Sequence, residues 1–270
     1  MQHDSIFVII FPFHLPTGVQ IWTADGGSML SFLDPLEHFA SASITASESY
    51  FRGIANFDDI ILVGDSAGGI HAIVDAGGKR KFSVDERVET ADSPIACVTT
   101  DSVHVVAATE TGDVACFPCT AFKTSPSDRK KEIILGFGFS ATSCCARDGI
   151  AVVAYSNGTI RAFCLGRSKV GGIALVAEIA AHSKCINALA LNNFSSRLSV
   201  ASCAEDHIVR VWDLQNLSDC ARSARGNAEL RITFEEKCDS KIFTGICFSS
   251  NESLITATYD DDYITILKLQ

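Results

Sequence analysis

Apolar and polar residues alternate with a period of two along most of this chain, the spacing of a strand with one face buried. The pattern is clearest at residues 60–64, 103–108, 150–154, 198–202 and 254–258. A short turn of small or acidic residues follows each stretch: Asp65-Ser66-Ala67-Gly68, Thr109-Glu110-Thr111-Gly112, Ser156-Asn157-Gly158, Ala204-Glu205-Asp206 and Asp260-Asp261-Asp262. A second alternating stretch comes next, at 70–74, 113–117, 159–163, 208–212 and 263–267. Turn residues that tolerate positive φ between strand formers predict β-hairpins.

The second strands end at Val74, Phe117, Phe163, Trp212 and Leu267, at intervals of 43, 46, 49 and 55 residues, and Trp22 marks an earlier ending 52 residues before Val74. A repeat of 40–50 residues built from short strands predicts an all-β propeller. Six blades are expected. The first is read as incomplete, because the chain opens inside a blade at 6–11, and the last has no obvious fourth strand after 263–269. Residues 33–47 contain Pro35 and no apolar stripe, so they read as a loop. The polar stretches 76–93, 120–131 and 215–227 read as long loops available for docking.

One unit carries more than periodicity. His182 precedes a strand at 186–191, then Ser199-Val200-Ala201-Ser202, Glu205-Asp206 and Val209-Arg210-Val211-Trp212-Asp213. This unit resembles a WD40 repeat, with Ala181-His182 in place of the usual Gly-His. The resemblance implies that His182, Ser202, Asp206 and Trp212 form a structural hydrogen-bond network. The chemistry agrees, since a buried imidazole and a buried indole N–H both require partners. The other units put Phe117, Phe163 or Leu267 where Trp212 stands, and Pro118, Cys164 or Lys268 where Asp213 stands. Those residues can pack but cannot form the polar network.

On these residues the chain is identified as a member of the WD40 β-propeller superfamily, with one domain over residues 1–270. Segments at 51–55, 136–139, 154–158, 181–182 with 185–189, and 258–260 together resemble one particular member of that superfamily. Relative to that seven-bladed pattern the chain reads as truncated at its start. An open ring would expose sheet edges, so self-association is expected.

Charge and composition narrow the partners. With 22 Lys and Arg against 32 Asp and Glu, the net charge is -10, which repels phosphate backbones and argues against nucleic acid. The two basic clusters, Lys79-Arg80-Lys81 and Arg129-Lys130-Lys131, lie in polar loop-like stretches. The 11 cysteines follow no framework and the N-terminus has no signal-like basic and apolar layout, so a reducing, cytoplasmic setting is expected. No apolar run is long enough to span a bilayer, so no membrane insertion is expected. The sequons at Asn157 and Asn251 then carry no meaning.

Several motifs invite a chemical reading. Gly64-Asp65-Ser66-Ala67-Gly68-Gly69 fits the G-x-S-x-G elbow of serine hydrolases. That chemistry needs a helix after Ser66, and residues 70–74 read as a strand. Cys116-Phe117-Pro118-Cys119 fits C-x-x-C, but Cys116 ends a strand and no second pair stands at zinc spacing. Asp260-Asp261-Asp262 reads as a solvated turn rather than a calcium loop. His14, His71 and His207 read as turn or packing residues. No catalytic, cofactor or metal residues are expected. The sequence thus points to a non-enzymatic scaffold that binds other proteins. A hydrolase built on Ser66 and a channel-mouth reader of a short modified peptide are the alternatives. With four Tyr and two Trp, an aromatic cage is not the first expectation for such a reader.

Overall fold

The computed structural model describes residues 7–11, 20–24, 29–33, 43–45, 51–58, 60–75, 82–90, 92–122, 131–136, 138–166, 172–214, 217, 230–250, 252–259 and 261–269, with side chains from residue 51 onward except 74–75 and 82–89. Its strands fall into six antiparallel sheets in chain order. The first holds β1 (Phe7–Phe11), β2 (Gln20–Ala24), β3 (Met29–Leu33) and β4 (Ser43–Thr45). The second holds β5 (Phe51–Phe57), β6 (Ile60–Asp65), β7 (Gly69–Asp75) and β8 (Phe82–Glu89). The third holds β9 (Ile95–Thr100), β10 (His104–Thr109), β11 (Val114–Pro118) and β12 (Glu132–Ile134). The fourth holds β13 (Ala141–Arg147), β14 (Ile150–Tyr155), β15 (Thr159–Leu165) and β16 (Ile173–Ala180). The fifth holds β17 (Ile186–Leu191), β18 (Ser199–Ala204), β19 (Ile208–Asp213) and β20 (Arg231–Lys237). The sixth has three strands, β21 (Phe243–Ser250), β22 (Ser253–Thr258) and β23 (Thr265–Lys268).

Strand order within each sheet follows the chain, so every blade is an up-and-down meander of local pairings. The core lies between sheets. Separate apolar clusters fill the gaps between the second and third sheets, the third and fourth, the fourth and fifth, and the fifth and sixth. A strand pressed from both sides must be apolar on both faces. Accordingly every residue of β6 and of β14 is buried. Among the described residues, substantial packing between sheets joins only sheets consecutive in the chain.

A defect repeats with the blades. Where the innermost strand meets the second, the register slips by one residue at Gly53, Thr142, Asn187 and Thr244. A bulge at a constant place bends each inner strand and increases its local twist.

Two readings from the sequence need correction. The first sheet has four strands, so the first blade is not incomplete, and β4 lies within the stretch read as a loop. Three residues are too short to display a period, which is why β4 was hidden. The stretch 76–93 likewise contains β8, whose polar sequence FSVDERVE suits an outer strand that needs packing on one face only. A short 3-10 turn, Cys119–Phe122, opens the stretch 120–131 and buries Cys119, Ala121 and Phe122. Residues 123–130, most of 215–227, His14, and the basic clusters apart from Lys131 lie outside the described residues. Among the described residues no helix is long and apolar enough to cross a membrane.

Candidate functional site

One end of the sheets, the upper face, carries the turns between second and third strands and the loops that enter each inner strand. Backbone bonds tie these features together in the same way from blade to blade. The N–H after an outer strand donates to the preceding turn, from Thr90 to Gly68, Ala181 to Gly158 and Cys238 to His207. The turn donates in its own right to the incoming loop, from Glu110 to Pro94, Ser156 to Ser140, Glu205 to Cys185 and Tyr259 to Ile242. The acceptor position in the turn has positive φ, at Gly68 (82°), Gly158 (82°) and His207 (66°). His207 is thus a turn residue in the place glycine holds elsewhere, and its Nδ1 lies 2.8 Å from the Lys241 carbonyl oxygen.

On this frame the fifth sheet places its polar side chains. His182 stands in the loop before β17, Ser202 in β18, Asp206 in the β18–β19 turn and Trp212 in β19, and all four are buried. His182 Nδ1 lies 3.0 Å from Asp206 Oδ1, and its Nε2 lies 2.8 Å from Ser202 Oγ. Trp212 Nε1 donates to the same Oγ at 2.9 Å. The indole is a donor only. The proton order therefore runs one way: Trp212 N–H to Ser202, Ser202 O–H to His182 Nε2, and His182 Nδ1–H to the Asp206 carboxylate. Asp206 also accepts from the backbone of Ser183 and Ile208.

The electrostatics fit that order. Burial pushes the His182 imidazole below its ordinary 6.5, against the opposing pull of Asp206, so it is neutral near pH 7. Arg210 adds to the depression, with its guanidinium 3.5 Å from Nδ1 and donating to the Ala181 carbonyl. Burial alone would raise the Asp206 carboxyl, but the Ser183 N–H and the imidazole hold it below 3.8.

Ser202, His182 and Asp206 have the atom connectivity of a hydrolase triad. Yet Ser202 has no exposed surface and its Oγ is already engaged by Trp212, so no substrate can reach it. At the matching positions Phe117 and Phe163 are buried in the clusters between sheets, as Trp212 is, and Leu267 is packed against another.

The other motifs resolve into local structure. Ser66 sits in the β6–β7 turn and is followed by a strand, not a helix. Asp65 shapes that turn: its Oδ1 accepts from Ala67 N at 2.9 Å and Gly69 N at 2.7 Å. Its Oδ2 lies 2.7 Å from His71 Nε2, and Phe51 meets the same imidazole edge-on. No pattern in the residues announces this pair, because it joins a turn acid to a residue inside the next strand. Cys116 ends up buried in β11, where burial pushes its thiol up to about 12. Asp261 bonds Thr258 and pairs with Lys241 at 3.1 Å. Among the described residues no group of three or more His, Cys, Asp or Glu is placed to hold a metal ion.

Similarity to known proteins follows the same lines. Residues 6–268 match the WDR54 family. No curated protein sequence is similar enough to count as a relative. The β-propeller domain of Cps50 (Swd1) from Myceliophteria thermophila superposes with a TM-score of 0.70 at 12% identity, covering 93% of this chain and 80% of that one. The computationally designed Ika8 protein superposes with a TM-score of 0.66 at 15% identity, covering 98% of this chain and 71% of that one. Identities this low speak for the fold alone. Together, the stacked four-stranded sheets, the buried His182–Asp206 network and the match over nearly the whole length establish that this chain belongs to the WDR54 family, a WD40-repeat β-propeller family.

Proposed function

We propose that the chain works as a non-enzymatic scaffold for protein–protein interaction, folding as one WD40 domain over residues 1–270 and acting in the cytoplasm. One observation carries the reading. The Ser202–His182–Asp206 constellation is buried and its serine Oγ is engaged by Trp212, within the fifth sheet and the loop that enters it. What remains open to partners is the perimeter and the loop faces of a rigid stack of sheets, the layout that suits several independent docking surfaces. The net charge of -10 favours proteins over nucleic acid as those partners. The odd, unpatterned cysteine count supports a reducing compartment.

The test is purification of the tagged protein from its own cells with quantitative mass spectrometry. Reproducible protein partners are expected. Recovery of the chain alone, from several extraction conditions, would count against the scaffold. A fluorophosphonate probe tests the non-enzymatic part: no labelling of Ser66 or Ser202 is expected, and labelling abolished by Ser66→Ala would refute it.

A further inference from the structure

Asn157 is the only asparagine of the sequence with a glycine after it. That pair is chemically labile. Glycine has no side chain to shield its backbone nitrogen, which therefore comes within reach of the preceding side-chain amide. The turn between β14 and β15 restrains the pair in three ways. The Gly158 N–H donates to the Tyr155 carbonyl oxygen at 3.1 Å, and Gly158 is buried, so the proton is shielded from base. The Asn157 Oδ1 accepts the Thr159 N–H at 3.1 Å, which ties the side chain forward past Gly158. The Gly158 carbonyl oxygen accepts from both Ala181 and His182 at 2.9 Å, which pins the glycine to the loop entering β17. Asn157 itself is exposed, so water reaches its side chain. A labile bond in contact with water is thus held unreactive by the turn around it.

We propose that Asn157 is a modification site, where opening of the β14–β15 turn converts asparagine to isoaspartate and the product unseats the loop that carries His182. The step consumes water, releases ammonia and transfers no electrons. With the turn open, the Gly158 nitrogen gives up its proton and attacks the side-chain carbonyl carbon of Asn157. A C–N bond forms there, the bond to the side-chain nitrogen breaks, and that nitrogen leaves as ammonia with the proton. Water then adds to the cyclic imide at the main-chain carbonyl carbon and breaks its bond to the Gly158 nitrogen. The main chain now runs through the former side chain, and a carboxylate is left on Cα. Isoaspartate lengthens the backbone by one carbon in a turn that has no room for it. A Cβ on Gly158 would stand 2.1 Å from the His182 carbonyl oxygen and 2.8 Å from that of Lys184. Gly158 therefore shifts, and the Ala181 and His182 N–H groups lose their shared acceptor. Because His182 is the middle of the relay from Trp212 to Asp206, a change in the fourth sheet is felt in the fifth.

The experiment warms the whole protein at pH 7.5 with and without urea and follows every asparagine by peptide mass spectrometry, with isoaspartyl peptides resolved by chromatography. In urea, product is expected at Asn157 ahead of the other asparagines. In the folded chain the same product is expected at least about tenfold more slowly, because it waits on local opening. The modified protein is then separated by its added negative charge and its amide exchange is compared with that of unmodified protein. Ala181 and His182 should exchange at least about tenfold faster after modification. Freshly prepared Asn157→Asp carries the charge on an ordinary backbone, so both amides should exchange in it as in the unmodified protein. The proposal is overturned if Asn157 reacts as fast in the folded chain as in urea, or if another asparagine reacts first in urea. Unchanged exchange at Ala181 and His182 after modification also overturns it. So does equal acceleration in Asn157→Asp, which would assign the effect to charge and not to the longer backbone.

Discussion

At the scale of single residues, the Trp212–Ser202–His182–Asp206 relay shows how polar groups are buried without loss. Each donor meets one acceptor, and the single direction of donation fixes the imidazole tautomer. Two substitutions separate packing from hydrogen bonding. Trp212→Ala empties a large core position and should cost about 3–5 kcal/mol. Trp212→Phe keeps most of the packing, removes one donor and should cost about 1 kcal/mol. Urea titrations of the two variants check both values, and equal losses would contradict the relay. The pH dependence follows from the imidazole. Folding lowers its affinity for protons, so the unfolded chain binds a proton first as the pH falls. The stabilisation from neutral His182 is thus complete above about 6.5 and is lost as the pH drops toward the folded value. The urea midpoint should fall between pH 7.5 and pH 5.5, and should fall less in His182→Asn. Thiols offer another residue-scale check. Cys203 is buried and its thiol is pushed up to about 12, whereas Cys247 is exposed. Maleimide at neutral pH should modify Cys247 at least about tenfold faster than Cys203, as followed by peptide mass spectrometry.

At the scale of elements, the hairpins were legible and the outer strands were not. A turn such as Ser156-Asn157-Gly158 announces itself because glycine there meets a backbone demand, and the flanking strands alternate because the core presses on them. Strands β4, β8 and β12 are short or polar and lie at the rim, where neither pressure writes a pattern. The His182 group could be named from the sequence because its residue types recur at a known spacing. The Asp65–His71 pair could not, since no such spacing precedes it. The repeated backbone bonds of the upper face were invisible for a simpler reason: main-chain donors and acceptors leave no trace in residue identity. Gly158 tests the importance of that frame. Its carbonyl accepts the N–H groups of both Ala181 and His182, and a Cβ there would stand 2.1 Å from the His182 carbonyl oxygen. Gly158→Ala should cost about 3 kcal/mol or more, since φ strain and a backbone clash add. Gly149 also has positive φ, but a Cβ there meets nothing closer than 3.9 Å, so Gly149→Ala should cost about 1–2 kcal/mol, the φ strain alone. Thermal unfolding of the pair measures the difference.

At the scale of the whole molecule, substantial packing among the described residues joins each sheet to its neighbours in the chain, and the apolar clusters sit between them like mortar between courses. A stack with that connectivity behaves as a one-dimensional array, in which loss of one unit need not bring down the rest. Among the described residues the sixth sheet packs substantially on the fifth alone and has one strand fewer than the other sheets, so it should be the place from which the stack unzips. Under mild heating or brief protease treatment, cuts are then expected first in the region after β20, while a fragment carrying the third and fourth sheets survives. A mechanical pull on the C-terminus would peel blades off in reverse order of synthesis, one force peak at a time, instead of breaking the whole propeller at once.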